Sequence, residues 1–120
     1  MTLPDDQEGR LRCYRNALRN WNFRGYVDFR PRPQEDLRHL LPGLSLREIV
    51  YELHKYVESG GKIDEKLETR PLECADDAAQ EFRYDLRVVI NERRIYFETV
   101  LLCDDPDDPD DPRIQVVSVH

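Results

Sequence analysis

At Gly60-Gly61 the spacing of apolar residues changes from helical to extended, and that change does most to fix the fold class. Before it, Leu46, Ile49, Val50, Leu53 and Val57 recur at three- and four-residue intervals, one stripe along an amphipathic helix. Ser45 and Glu48 stand where a capping box needs them, each side chain satisfying a backbone N–H that the first turn leaves free. Gly60-Gly61 ends the helix because glycine takes a left-handed C′ conformation at little cost. After it, KIDEKLETR (62–70) alternates, with Ile63, Leu67 and Thr69 on one side and Lys62, Asp64, Lys66, Glu68 and Arg70 on the other.

Upstream, EGRLRCYRNALRNW (8–21) places Leu11, Tyr14, Leu18 and Trp21 at helical intervals, with Arg12, Arg15 and Arg19 on other faces. Tyr26–Phe29 reads as a short extended piece. A brief helix over 34–41 starts at Pro33, turns Leu37, Leu40 and Leu41 inward and stops at Pro42-Gly43.

Downstream, FRYDLRVVI (82–90) and RIYFETVLLC (94–103) alternate as two strands, and RIQVVSVH (113–120) supplies a last one. A turn centred on Glu92-Arg93 pairs Ile90 with Ile95, Val88 with Phe97 and Leu86 with Thr99 inside, and Arg87 with Glu98 outside. The order predicts an α+β domain: N-terminal helices on one face of a C-terminal antiparallel meander of three to four strands. With 120 residues the chain forms one domain, 1–120, with residues 1–8 as a disordered tail and 104–112 as an acidic Asp/Pro loop.

Charge and residue usage exclude several classes. No window approaches the ~18 apolar residues of a membrane span, and MTLPDDQEG lacks the apolar core of a secretory signal, so the expected compartment is the cytoplasm. Cys13, Cys74 and Cys103 form no C-x-x-C pair, and His39, His54 and His120 show no metal-binding spacing. No metal and no cofactor are expected. His54 reads as a surface residue, and the terminal His120 as a fraying position, although C-terminal residues serve some small ribonucleases.

The net charge of −7 is local. Setting aside Asp104, Asp105, Asp107, Asp108, Asp110 and Asp111 leaves 19 acidic against 18 basic residues, while residues 10–47 carry nine arginines against three acids. Two binding surfaces follow. Arg12, Arg15, Arg19 and Arg24, interleaved with Tyr14, Trp21, Phe23, Tyr26 and Phe29, have the guanidinium-and-stacking composition that holds single-stranded nucleic acid. The six aspartates recur with proline every third residue, a polyproline-II period that splays charge outward. They make a steering element for a basic protein partner and not a calcium loop.

The runs ESGGKIDEKLETRP (58–71), FRYDLRVVINERRIYFETVL (82–101) and RIQVVSVH resemble, in element order, small bacterial proteins similar to the RelE/ParE superfamily and the MqsR-type toxins. That resemblance implies a small toxin paired with an antitoxin, and an RNase using sheet and C-terminal side chains in place of a metal. The positions able to play those parts are Arg70, Arg87, Tyr96 and His120: arginines for developing phosphorane charge, Tyr96 or His120 for proton transfer. The other function the sequence allows is a non-enzymatic interaction module, antitoxin-like, immunity-like or an adaptor, engaging its partner through the acidic loop. Whether the chain is an enzyme stays open at this point.

Overall fold

The computed structural model describes residues 6–23, 25–67, 82–102 and 112–120. Three helices, α1 (Gln7–Arg19), α2 (Pro31–Leu40) and α3 (Leu46–Glu58), accompany five strands, β1 (Val27–Phe29), β2 (Asp64–Leu67), β3 (Phe82–Ile90), β4 (Arg93–Leu102) and β5 (Arg113–Val119). The class is α+β, as the change of period predicts. None of the described helices is long and apolar enough to cross a membrane.

The sheet differs from the expected meander of three to four antiparallel strands. It has five, in the order β1-β5-β4-β3-β2, and it is mixed. β2 to β5 do run as an antiparallel meander, but β1 adds to β5 in parallel, Val27 opposite Ile114 and Phe29 opposite Val116. Backbone bonds from Ile114 to the Tyr26 carbonyl (2.8 Å) and from Arg30 to the Val116 carbonyl (3.1 Å) close this pair. The physical reason is edge protection. Without β1 the outer side of β5 would present an open row of backbone donors and acceptors.

The capping box forms as expected: Ser45 Oγ accepts from the Glu48 N–H and Glu48 Oε1 from the Ser45 N–H, both at 3.1 Å. The far end is a Schellman motif, with Gly60 at φ +89° and bonds from Gly60 to the Val57 carbonyl and from Gly61 to that of Tyr56. Gly61 is needed for a separate reason. A Cβ there would stand 2.5 Å from the Tyr56 carbonyl oxygen and 2.6 Å from its ring. Residues 6–8, expected in the disordered tail, belong instead to the start of α1, where Asp6 caps the helix by accepting from the Gly9 N–H; residues 1–5 lie outside the described residues.

The β3–β4 hairpin keeps the predicted faces but not the predicted partners. Leu86 faces Phe97, Val88 faces Ile95 and Arg87 faces Tyr96, two residues away from the sequence-based register. The turn residues are Asn91 and Glu92, both at positive φ (51° and 65°), as a type I′ turn requires. A slip of two preserves side-chain parity, which is why the core assignment survives the wrong register.

One core cluster joins the helices to the inner sheet face, with Tyr14, Leu18, Leu37, Ile49 and Leu53 packed on Leu86, Phe97, Leu101 and Ile114. Within it lies a polar network. Arg10 on α1 is buried and forms a two-pronged bond to Glu65 on β2 (both 2.9 Å), and the Tyr84 hydroxyl donates to the same carboxylate (2.8 Å). The Arg10 guanidinium also lies 4.0 Å from the Phe82 ring centre. Cys13 is a half-buried free thiol, pushed up in pKa by that burial, while Cys74 and Cys103 lie outside the described residues.

Candidate functional site on the outer sheet face

Strand alternation sends Asp64, Lys66, Arg83, Asp85, Arg87, Arg94, Tyr96, Glu98, Arg113 and His120 to the face away from the helices. Five are basic and three acidic, so this face is net positive in a chain of net −7.

At its centre Asp85 and Glu98 stand directly opposite each other, a pairing that costs stability when uncompensated. Here it is compensated. Arg83 grips Asp85 through Nε (2.8 Å) and reaches Glu98 at 3.6 Å, Lys66 lies 3.1 Å from Asp85, and the Tyr96 hydroxyl donates to Asp85 at 2.5 Å. Burial pushes the Asp85 carboxyl up. The bonds from Tyr96, Arg83 and Lys66 outweigh that and hold it below the usual carboxylate range. The same bond raises the Tyr96 phenol, so Tyr96 is a poor proton donor to anything else.

Three of the four sequence-predicted catalytic residues come together. The Arg87 guanidinium sits 4.8 Å from the Tyr96 ring centre, and the His120 ring stacks on Tyr96 at 4.9 Å with 9° between planes. Arg87 and His120 reach Tyr96 from the two neighbouring strands. Arg87 also bonds Asp64 (2.6 Å), which replaces the expected pairing with Glu98. His120 does not fray. Its N–H and carbonyl both bond to Tyr96 (3.0 and 2.7 Å), continuing the β4–β5 ladder to the end of the sequence. Arg70, the fourth, lies outside the described residues, as do Arg24 and the six aspartates of 104–111.

His120 also borders a cleft of about 570 Å³ between α2 and the end of β5, whose other walls include Arg32, Asp36, His39 and Ser118. His39 was missed in the sequence because the link between α2 and β5 is purely tertiary. Its position in the last turn of a short helix carries no local signal.

The predicted nucleic-acid arginines do not join this face. Arg12, Arg15 and Arg19 are exposed on α1, across the sheet, and Arg19 bonds Glu58 at 2.7 Å. Of the interleaved aromatics, Tyr14 is core, Trp21, Tyr26 and Phe29 are half-buried, and Phe23 stays 65% exposed. His54 is not the surface residue expected. It packs against Trp21 and Tyr51, and its buried Nδ1 has no hydrogen-bond partner among the described residues.

Among the described residues, no three His, Cys, Asp or Glu side chains are grouped to hold a metal ion. No family model matches this chain, and no curated protein or solved structure matches it significantly.

Proposed function

We propose that the protein is a metal-independent ribonuclease of toxin type, with its reaction centre at the cleft beside His120. The observation that carries this reading is the convergence of His120 and His39 on one cleft with Arg32, next to the Arg87–Tyr96–His120 stack. Imidazole takes and gives protons near neutral pH, so two of them can divide the work. One takes the proton from an RNA 2′-hydroxyl, whose oxygen attacks the adjacent phosphorus. The other gives a proton to the departing 5′-oxygen as the P–O5′ bond breaks, leaving a 2′,3′-cyclic phosphate. Arg32, with Arg87 nearby, supplies positive charge for the phosphorane oxygens. Tyr96 serves as a platform that orients His120, because its hydroxyl is committed to Asp85.

The test is incubation of the purified protein with single-stranded RNA in chelator, and separately with translating ribosomes. Cleavage is expected in at least one arm. His120→Ala and His39→Ala should each lower it by about 10²-fold or more while circular dichroism stays native. Wild-type protein inactive in both arms would remove the reading.

A second reading, a non-enzymatic interaction module, draws on the carboxylates that hold Arg83, Arg87 and Lys66. Cations held by carboxylates in this way suit a protein partner better than a polyanion. Equal recovery of every partner with and without residues 104–112 would count against the acidic loop as its docking element.

A further inference from the structure

A second cleft, of about 560 Å³, opens where the segment after α1, strand β1 and the start of α3 meet. Its walls combine three kinds of group. Trp21 and Phe23 supply aromatic surface, and Phe23 is 65% exposed, so its ring is open to a ligand. Arg47, in the first turn of α3, donates to the side-chain oxygen Oδ1 of Asn22 and holds its guanidinium 5.6 Å from the Trp21 ring centre. That bond leaves the Asn22 amide N–H groups as donors. Gln34 donates to the Phe29 carbonyl (2.9 Å), which leaves its own side-chain oxygen as an acceptor, and the exposed Asp28 lines the same cleft.

Flat apolar surface, edge donors, edge acceptors and a guanidinium form the set that a nucleobase with its phosphate requires. The ring stacks on the aromatics, its polar edge meets Asn22, Gln34 and Asp28, and the phosphate lies toward Arg47. We propose that this cleft binds an unstacked nucleobase, from a free nucleotide or from a single strand of nucleic acid. It does not rest on the cleavage reading. The two clefts share no residue, and base binding here needs no chemistry at His120.

Trp21 is the only tryptophan in the chain, so its fluorescence reports on this cleft directly. The full chain carrying His120→Ala, which keeps RNA intact, is titrated with adenosine, guanosine and uridine monophosphates and with a single strand of roughly ten nucleotides. Saturable quenching is expected, weakened at least about fivefold by Phe23→Ala and by Arg47→Ala and unchanged by Arg94→Ala. Quenching by monophosphates identifies a nucleotide site, and quenching by the oligonucleotide alone identifies a strand site. Both outcomes support the proposal. A flat titration, or quenching indifferent to Phe23→Ala and Arg47→Ala, overturns it. Because Phe23 is exposed, its replacement leaves the core intact, and because the read-out is binding, absent cleavage and absent binding are separate results.

Discussion

Thr99 has one hydroxyl proton, and its neighbours dictate where that proton goes. The hydroxyl donates to the Tyr84 carbonyl at 2.6 Å, so the Tyr14 hydroxyl, 2.7 Å away, must be the donor in the other bond. Burial pushes the Tyr14 phenol far above its ordinary range and keeps it protonated for that task. The consequence is an asymmetry. Thr99→Val strands a buried donor and should cost about 1–3 kcal/mol, whereas Tyr14→Phe removes the donor itself and should cost only about 0.5–1.5 kcal/mol. Adding Tyr14→Phe to Thr99→Val should then cost almost nothing, measured by urea denaturation as a double-mutant cycle. Additive costs would show that the two hydroxyls are not coupled. Arg10 and Glu65 belong to the same scale, and both were legible in hindsight. Arg10 precedes Tyr14 by one turn, on the stripe that continues to Leu18, and Glu65 shares strand parity with Ile63 and Leu67. The charge of each hid its position, since a lone buried charge is expensive and only the pair is tolerated.

At the scale of elements, helices bounded by local chemistry were read closely and strand pairings were not. The α3 box and its Schellman end depend on residues within a few positions of one another. The hairpin register depends on which two residues accept positive φ, and Asn91-Glu92 is a weak form of the usual Asn-Gly signal. Glu92 is the strained member. Glu92→Gly should raise stability by about 0.5–1 kcal/mol, since glycine relieves the left-handed penalty while giving back part in unfolded-chain entropy. The check is the urea midpoint at unchanged slope. A lower midpoint would mean that the Glu92 side chain contributes something its exposed position does not suggest.

For the whole molecule, charge placement governs the acid limit. The bond from Arg10 holds the Glu65 carboxyl below the usual range, and Asp85 is held low on the opposite face of the sheet. A carboxylate depressed in the folded state contributes stability that is present above its unfolded pKa, about 4.3 for Glu and 3.9 for Asp, and is lost as pH falls through the lower folded value. Stability should therefore drop as pH is lowered from about 5 toward 3. Glu65→Gln, which removes the charge of the carboxylate that Arg10 and Tyr84 both hold, should cost up to about 3 kcal/mol at neutral pH. That gap should close as pH falls below about 4.3, as followed by urea denaturation across the pH series. A gap constant from pH 7 to pH 3 would show that Arg10 and Glu65 hold each other by shape and not by charge.

The sequence by itself determined the α+β class, the two ends of α3 and the inward-facing sides of β3 and β4, because these follow from periodicity and short-range capping. Only the tertiary structure decided the parallel addition of β1 to β5, the meeting of Arg10 with Glu65, and the approach of His39 to His120. Each joins residues more than fifty positions apart, and no local pattern encodes such a contact. It is selected by what the assembled core leaves unpaired: an open strand edge, a buried charge, and a gap between helix and sheet.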